Sequence, residues 1–357
     1  MEVITVFHIS DLHFGSESSI RNIRDAFFDE GCTNGQNYRF GKNLRTSFWK
    51  LTSHNQDVAN SLAETLNIAA PKVDALVVSG DISTDGSEES LSSGAFFLGC
   101  SDQKPGKGFE CQINPPLSSR TLVVPGNHDR YRYPTPAPGG NKFDEIFYKN
   151  NKWPLGGFVH VTNIIKGDET IAFIAVDFTL PRDYMPNIRR TLEQGLIDDV
   201  IDVFGRGIVA EPTLNSLLDE TDKAREKGQA VIWVTHFSPL LDCVDSKLKL
   251  INTEKLLRAA NDSSIPFILS GHTHKNINCN FNGTISLTLG SSTSVCAIDN
   301  NKFSLYSFCV DSGEIVDFSG EMYSHINSES GDNPHWVIEN RITISSLNCN
   351  CRSVVKD

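Results

Sequence analysis

The sequence predicts an α/β fold in which mixed β-sheets form a layered sandwich flanked by helices. Short runs of Val, Ile, Leu and Phe recur along the chain, and turn residues bound each of them. Segments of helical character separate several of these runs, which is typical of α/β layers. Polar side chains that could bind a ligand follow five of the runs, at the strand edge where α/β sheets hold their ligands.

The predicted strands are apolar along almost their whole length, so we expect both of their faces to be buried. They are Val3–Ile9, Ala75–Ser79, Leu122–Val124, Ile171–Val176, Val231–Thr235 and Phe267–Ser270. From Ile285 onward the pattern alternates, which predicts meandering β-structure that completes the fold. Its predicted strands are Ile285–Leu289, Phe303–Val310 and, at the periphery, Val337–Ser345.

Four segments between the strands are predicted helices: Asp57–Asn67, Lys142–Tyr148, Thr213–Lys227 and Thr253–Asn261. Thr213 and Thr253 are predicted N-caps, because a threonine hydroxyl can accept a hydrogen bond from the first turn of a helix. Residues 101–116 are rich in Gly, Lys and Pro and predict a surface loop, and residues 130–140 predict an irregular loop with three prolines.

The chain of 357 residues has 32 Lys and Arg against 44 Asp and Glu, a net charge of −12. This balance disfavours nucleic acid as a partner, although a bound cation could reverse the field locally. The N-terminus resembles a first strand rather than a signal peptide, and no run of about 18 apolar residues occurs. We therefore expect no membrane span, a cytoplasmic location and reduced thiols for the nine cysteines.

We predict one main domain over residues 1–320, with insertions at about 97–118 and 181–212. A C-terminal extension is predicted over residues 321–357. The second insertion separates two strong strands and is a candidate cap over the site. The sequence leaves the oligomeric state open.

Five predicted strands each deliver Asp, Asn or His at their C-terminal end. The segments are Asp11-Leu12-His13, Gly80-Asp81, Gly126-Asn127-His128-Asp129, His236 and Gly271-His272-Thr273-His274. One such residue alone is more often structural than functional. So many imidazoles and carboxylates on one edge would be costly to desolvate without compensating cations. The convergence therefore predicts a metal site.

The types of ligand indicate which metals the site would take. Imidazole nitrogen combined with carboxylate and amide oxygen suits first-row divalent ions. No thiolate belongs to the set, which argues against a structural zinc cage. Seven candidate ligands are too many for one ion and sufficient for two, provided that one carboxylate bridges them. Ions about 3.5–4 Å apart are a device for in-line displacement at phosphorus.

The arrangement resembles the calcineurin-like metallophosphoesterase superfamily. Its pattern of D-x-H, G-D, G-N-H-[DE], a lone H and G-H-x-H occurs in order between Asp11 and His274. The resemblance implies a metallophosphoesterase fold with a dinuclear centre at the C-terminal strand edges. The implied cofactors are two divalent ions drawn from Mn, Fe, Zn and Co, with Mn or Fe preferred for both.

The resemblance also assigns a role to each matching residue. Asp11, His13 and His274 would hold the first ion, Asn127, His236 and His272 would hold the second, and Asp81 would bridge both. His128 would face the substrate and donate a proton or hydrogen bond to the leaving oxygen. We count His128, Asn127 and Asp81 as the catalytic set.

Several neighbouring residues are weaker candidates. In many relatives an acid three residues after the bridging aspartate orients the substrate-facing histidine, but Thr84 stands there in this chain. Asp85 and Asp129 are the alternatives for that role. Arg130, Tyr131 and Arg132 are candidates for contacting the phosphate or base of a substrate, whereas His8 is expected to be structural.

The expected activity is hydrolysis of a phosphoric ester by hydroxide held on the metals. The motifs resemble those of bacterial cyclic-nucleotide-type phosphodiesterases, which implies a phosphodiester substrate, either a cyclic nucleotide or a related small nucleotide. A nuclease acting on DNA or RNA is one alternative, disfavoured by the acidic charge. A phosphomonoesterase or protein phosphatase is another. A metal-binding scaffold without activity is disfavoured because no ligand is missing.

Overall fold

The computed structural model describes residues 1–15, 54–104, 111–132, 138–149, 159–181, 205–239, 248, 250–293, 301–326 and 335–345. Two six-stranded mixed sheets pack face to face, and helices cover the outer face of each sheet. This is the layered α/β sandwich that the sequence predicts. None of the helices in the described part of the chain has the length and hydropathy needed to cross a bilayer.

The secondary structure alternates strands and helices before it ends in long strands. In chain order the elements are β1 (Glu2–Ile9), α1 (Gln56–Ala69), β2 (Ala75–Val78), α2 (Glu88–Phe97), β3 (Thr121–Val123), a π-helix (Asp144–Lys149), β4 (Val159–Lys166), β5 (Glu169–Val176), β6 (Gly207–Ile208), α3 (Glu211–Glu226), β7 (Ala230–Thr235), β8 (Leu250–Ile251), α4 (Thr253–Asp262), β9 (Phe267–Ser270), β10 (Ile277–Phe281), β11 (Thr284–Thr288), β12 (Lys302–Asp311), β13 (Glu314–Ile326) and β14 (His335–Ser345). Short 3₁₀ turns occupy Ala70–Lys72 and Ser118–Arg120.

The first sheet has the strand order β14-β13-β12-β1-β2-β3. Strands β1, β2 and β3 are parallel, whereas β12, β13 and β14 form the antiparallel meander predicted after Ile285. Strand β13 continues through residue 320, so the described part of the predicted C-terminal extension belongs to this sheet. The division of the chain into domains stays a prediction.

The second sheet has the order β10-β11-β9-β7-β5-β4. Its four central strands are parallel, and the two edge strands are antiparallel to their neighbours. The C-terminal ends of β1, β2 and β3 in one sheet and of β7 and β9 in the other carry the five predicted site segments.

Alternation along each strand explains why the strands are apolar throughout. On β1, Ile4 and Val6 face the layer between the two sheets, whereas Phe7 and Ile9 face the layer beneath α1 and α2. On β7, Val231 and Trp233 pack instead beneath α3 and α4. Fully burying one such side chain stabilises the fold by about 1.5–3 kcal/mol. The predicted burial of both strand faces is confirmed.

The predicted N-caps of two helices are wrong. Helix α3 begins at Glu211 with Pro212 in its first turn, so Thr213 lies inside the helix. Proline is tolerated in the first turn, where backbone N–H groups have no partner within the helix, so Pro212 permits the earlier start. Helix α4 begins at Thr253 itself, after Asn252 in a left-handed conformation with φ of 60°.

Two other predicted segments differ from the structure, and parts of two predicted insertions lie outside the residues that the structure describes. The helix predicted over 142–148 takes π-helical form over Asp144–Lys149. Ile113, predicted to lie in a surface loop, is fully buried and packs into the core beneath α1 and α2. Residues 105–110 of that loop and residues 182–204 of the candidate cap lie outside the described residues.

Candidate active site

The five predicted segments meet at one edge of the sandwich. Their principal side chains are buried: Asp11, His13, Asp81, Asn127, His236 and His272 are each at most 5% exposed, while His128 and His274 are half-buried. Parallel strands of both sheets end at this edge, so residues distant in sequence come within hydrogen-bonding distance. The structure thus brings together all seven predicted metal ligands and the predicted proton donor.

Five of the predicted ligands have left-handed backbone conformations. The φ angles are 52° at Asp11, 52° at His13, 50° at Asp81, 72° at His272 and 53° at His274. Residues other than glycine seldom adopt such angles, and the strain persists only where the surroundings enforce it. The sharp bends turn these side chains inward at the strand ends.

Hydrogen bonds between the first two segments enforce these bends. The backbone N–H of Asp11 donates to the carbonyl of Gly80 at 2.9 Å, and that of His13 donates to the carbonyl of Asp81 at 2.9 Å. The N–H of Phe14 donates to the carbonyl of Ile82 at 2.8 Å. The two segments therefore continue side by side beyond the end of the sheet.

Glycines permit the close approach of the other segments. A Cβ atom on Gly126 would lie 2.0 Å from Oδ1 of Asp81, and one on Gly271 would lie 1.8 Å from Oγ of Ser10. Only glycine fits where backbone and side chain come this close. The glycines of the G-N-H and G-H-x-H segments therefore set the positions of the ligands that follow them.

The first group of ligands comprises Asp11, His13 and His274. The Nε2 atoms of His13 and His274 lie 3.1 Å apart, and Oδ1 of Asp11 lies 3.3 Å from Nε2 of His274. The other carboxylate oxygen of Asp11 accepts from the Ser10 hydroxyl at 2.6 Å and from the His272 N–H at 3.0 Å. Among the described residues Oδ1 has no hydrogen-bond partner, so it is available to a cation.

The second group comprises Asp81, His236 and His272. Asn127 directly precedes His128, whose backbone N–H donates to Asp81. Nε2 of His236 lies 3.0 Å from Nδ1 of His272. Nδ1 of His236 donates to the carbonyl of Ser79 at 2.7 Å, which leaves Nε2 with a free lone pair in the neutral ring. The Asn127 amide nitrogen donates to the Tyr131 hydroxyl at 3.0 Å, and its buried Oδ1 has no partner within the described chain.

Asp81 lies between the two groups. Its Oδ1 accepts from the backbone N–H of His128 at 2.9 Å. Its Oδ2 lies 3.3 Å from Nε2 of His236 and 3.9 Å from Nε2 of His13. One carboxylate oxygen therefore faces a histidine from each group.

The donor set fits a pair of divalent ions. Two nitrogens about 2.1 Å from one ion and about 90° apart lie about 3 Å from each other, which matches both histidine pairs. The unpartnered buried oxygens of Asp11 and Asn127 would be costly without a cation. Nitrogen and oxygen donors together suit first-row divalent metals.

Without metal the site combines neutral and protonated imidazoles. Burial lowers the pKa of His13 and of His272 to about 3, so both rings are neutral and can serve as ligands at neutral pH. Burial opposes ionisation of Asp81, but the neighbouring His236 and His128 hold the pKa of its carboxyl well below the ordinary range. Asp81 is therefore a carboxylate. Burial opposes protonation of His236, but the Asp81 carboxylate raises the pKa of that ring to about 9, so an ion binding at Nε2 would displace a proton.

His128 is oriented by a backbone carbonyl instead of an acid. Its Nδ1 donates to the carbonyl of Thr84 at 2.6 Å, and its ring meets the His13 ring edge-on at a centroid distance of 5.0 Å. Asp85 accepts from the N–H and hydroxyl of Ser87 ahead of α2. Asp129 accepts from three backbone N–H groups, those of Ile82, Ser83 and Gly126. Both acids shape the backbone, so the prediction that one of them orients His128 is wrong.

Arg130 is not a substrate contact. Its Nε donates to Asp177 at 2.9 Å and its Nη1 donates to Asp144 at 2.7 Å, and the residue is only 8% exposed. Tyr131 is also buried and supports Asn127, whereas Arg132 is half-buried. The structure therefore corrects the predicted substrate role of Arg130.

Several supporting residues could not be found from the sequence. They are the Ser79 carbonyl, Tyr131, Asp177 and a buried run of three hydroxyl residues, Ser291-Ser292-Thr293, that contacts the first segment. The hydroxyl run was visible as a pattern, but nothing in its spacing points to Asp11. His8, expected to be structural, is buried with Nε2 at 2.8 Å from the Ser79 hydroxyl.

Solved structures with the same fold include a dimetal phosphatase from Danio rerio, 14% identical, with a TM-score of 0.52 over 96% of this chain and 99% of that one. GAP50, the anchor in the inner membrane complex of Plasmodium, is 12% identical, with a TM-score of 0.49 and coverage of 96% and 89%. Purple acid phosphatase PPD1 from yellow lupin is 13% identical, with a TM-score of 0.47 over 99% of this chain and 57% of that one. No curated protein sequence matches this chain significantly.

The family model described as calcineurin-like phosphoesterase matches residues 4–276, which is more than half of the chain. The matched range includes all five segments that meet at the sheet edge. A dinuclear divalent metal site is a feature of this family, and the donor set described above fits one. The chain belongs to the calcineurin-like phosphoesterase family and is a metal-dependent hydrolase of phosphoric esters.

Proposed function

We propose that this chain hydrolyses a phosphodiester, either a cyclic nucleotide or a related small nucleotide, at a pair of divalent ions. Asp11, His13 and His274 would hold the first ion, and Asn127, His236 and His272 the second. Asp81 would bridge them. The position of Asp81 Oδ2, which faces one histidine of each group, is the observation that carries this proposal. Manganese or iron is the expected metal, since both suit mixed nitrogen and oxygen ligands.

When bound, the ions would supply an activated water and neutralise charge on the phosphoryl oxygens. The protein holds the ligands for this chemistry in buried, hydrogen-bonded positions. His272 is fixed through its backbone N–H by Asp11, and His236 is fixed through Nδ1 by the Ser79 carbonyl. Little rearrangement is then needed when a substrate binds.

His128 is the proposed proton donor to the leaving oxygen. Its Nδ1–H is committed to the Thr84 carbonyl, so Nε2 carries a proton only in the imidazolium form. The half-buried ring lies against His13, at the border between the metal ligands and solvent. A leaving alkoxide needs a proton from such a positioned acid.

Arg130 is not available to bind the second negative charge of a phosphomonoester. A phosphomonoester carries close to two negative charges at neutral pH, because its second pKa is about 6, whereas a diester carries one. Proteins commonly bind the additional charge with a bidentate arginine. Arg130 follows the Asn-His-Asp segment directly, but it is occupied by Asp177 and Asp144. Among the described residues, the ion pairs of Asp11 and Asp81 involve only histidines.

A comparison of two chromogenic esters tests the proposal. We expect the manganese-loaded protein to hydrolyse bis(p-nitrophenyl) phosphate with a higher kcat/KM than p-nitrophenyl phosphate, and to hydrolyse a 3′,5′-cyclic nucleotide. Asp81→Asn should abolish both activities, whereas Asp219→Asn, an exposed acid on α3, should leave them unchanged. Faster hydrolysis of the monoester would make the protein a phosphatase. Hydrolysis confined to nucleic acid, with strong salt dependence, would make it a nuclease.

A further inference from the structure

The hydroxyl segment Ser291-Ser292-Thr293 lies against the segment that supplies the first ion's ligands. All three residues are buried, with at most 1% exposure. The Ser291 hydroxyl donates to the carbonyl of Asp11 at 2.7 Å, and the Thr293 hydroxyl donates to the carbonyl of Leu12. Neither contact involves a metal-ligating atom, so both act on the backbone.

The backbone bends explain why these carbonyls need hydroxyl donors. Asp11 and His13 both have φ of 52°, which turns the intervening carbonyls away from any strand ladder. Buried carbonyls that lose their ladder partners must find other donors. The carbonyl of His13 accepts from a third hydroxyl, that of Thr84, at 2.7 Å. Three consecutive carbonyls are thus each satisfied by a Ser or Thr side chain.

The hydroxyl segment is itself anchored on two other elements. The Ser292 hydroxyl accepts from the Ser10 N–H at 3.1 Å and donates to the Lys302 carbonyl on β12 at 2.7 Å. The carbonyl of Thr293 accepts from the N–H of Asn55, the N-cap of α1, at 2.6 Å. The donors to the Asp11 and Leu12 carbonyls therefore have fixed positions.

We propose that Ser291 and Thr293 are positioning residues for the first metal ion and set its affinity more strongly than that of the second. The inference rests on the metal centre of the proposed function. Two ligands of the second ion, Asn127 and His236, take their orientation from Tyr131 and the Ser79 carbonyl, which lie outside the hydroxyl segment. The third, His272, contacts Asp11 only through its backbone N–H. Loss of the Thr293 hydroxyl would leave the Leu12 carbonyl unpaired and let Asp11 and His13 leave their bent conformations.

Single-site backgrounds isolate the two ions. Asn127→Ala should leave only the first ion bound tightly, and His274→Ala only the second. Calorimetric titration with Mn²⁺ then reports each affinity without any substrate. In the Asn127→Ala background, Thr293→Val should weaken Mn²⁺ binding about 10- to 100-fold, the range typical of residues that support metal ligands. In the His274→Ala background the same change should alter the affinity less than about 2-fold.

Two further variants separate positioning from general destabilisation. Thr293→Ser keeps the hydroxyl and should restore the affinity, and Ser291→Ala should reproduce the loss if Thr293→Val folds poorly. The matched control is Thr121→Val, which removes a buried hydroxyl bond to the Leu117 carbonyl at the start of β3. This control should leave both affinities unchanged.

Equal weakening in both backgrounds, or unchanged affinity for the first ion, would overturn the inference. Binding of fewer than two ions by the unmodified chain would overturn the metal centre together with it. Two tightly bound ions without any hydrolysis would count against the proposed activity alone, because affinity does not depend on the substrate.

Discussion

At the scale of single residues, the site depends on which atom of each side chain remains available. Asp11 commits Oδ2 to the Ser10 hydroxyl and the His272 N–H, and presents Oδ1 to His274. Asn127 donates its amide nitrogen to Tyr131, and its buried oxygen has no hydrogen-bond partner among the described residues. These hydrogen bonds fix the orientation of both side chains before a metal ion binds.

Removing the support of Asn127 provides a test at this scale. Tyr131→Phe deletes the hydroxyl that accepts from the Asn127 amide, so the amide can rotate and lose its defined oxygen position. We expect affinity for the second ion to fall about 10-fold, with the first ion affected less. Calorimetric Mn²⁺ titration measures both. Unchanged binding of both ions in a folded variant would contradict the role of Tyr131 in orienting Asn127.

Burial of His8 predicts a pH-dependent contribution to stability. Burial lowers its pKa to about 3, while the unfolded chain has about 6.5. Stability is therefore present above pH 6.5 and is lost as the pH falls toward 3, because the unfolded state binds the proton more readily. His8→Gln removes this titration. Between pH 6.5 and 4.5 the native protein should lose about 2 kcal/mol more than the variant.

Urea unfolding of both metal-free proteins at several pH values measures this difference. Metal ligands titrate in both proteins and cancel in the comparison. Parallel stability curves would show that His8 is not held neutral in the fold.

At the residue scale, the sequence predicts most of the candidate ligands, but not the residues that hold the site by hydrogen bonds. Motif order and ligand chemistry single out the seven candidate ligands that the structure brings together. The partners of Arg130 and His128 could not be predicted, because Asp177 is 47 residues from Arg130 and the Thr84 contact uses a backbone carbonyl. Any residue type can supply a backbone carbonyl, so a sequence motif does not reveal a contact such as that of His128 with Thr84. Only the structure shows it.

At the scale of secondary-structure elements, the candidate ligands lie in the segments that follow the strands and not in the strands themselves. Apolar runs predict the strands well because strands buried on both faces are apolar along almost their whole length. Helix starts were predicted less well, since Pro212 and Asn252 outweigh the nearby threonines at α3 and α4. The π-helical form of Asp144–Lys149 has no signal in apolar periodicity.

Arg130 connects three elements and should be important for stability. It links the segment after β3 to Asp177 after β5 and to Asp144 in the π-helix, with Asp177 only 7% exposed. Arg130→Met would leave a buried carboxylate without its partner, which costs about 3–5 kcal/mol. Urea unfolding measures the change. The matched control is Arg341→Met, whose exposed pair with Glu321 should contribute less than about 1 kcal/mol.

A loss similar to that of the control would show that Arg130 does not hold these elements together. Recovery of lost stability by Arg130→Lys should be partial, because an ammonium cannot pair with both acids in the planar geometry of a guanidinium.

At the scale of the whole molecule, neither sheet forms the site alone. Asp11, Asp81 and Asn127 follow strands of the first sheet, whereas His236 and His272 follow strands of the second. Each proposed ion has ligands from both. Ions bound there would join the two sheets at one edge, so metal binding and folding should be coupled.

This coupling predicts a metal-dependent melting temperature. An ion present at 100 times its Kd stabilises the folded state by about 2.7 kcal/mol, provided that the unfolded chain does not bind it. We expect Mn²⁺ to raise the Tm and a chelator to lower it, as measured by calorimetry. Asp81→Asn should lose most of the increase. An equal increase in that variant would place the stabilising ions elsewhere.

The most direct test of the two-ion account is a Mn²⁺ titration of the metal-free protein, with hydrolysis of bis(p-nitrophenyl) phosphate measured on the same samples. The account predicts two ions per chain and activity that appears only as the second ion binds. Asp81→Asn, with its shared oxygen replaced, should lose tight binding and activity together. Full activity at one ion per chain, or native binding and rate in Asp81→Asn, would contradict the account.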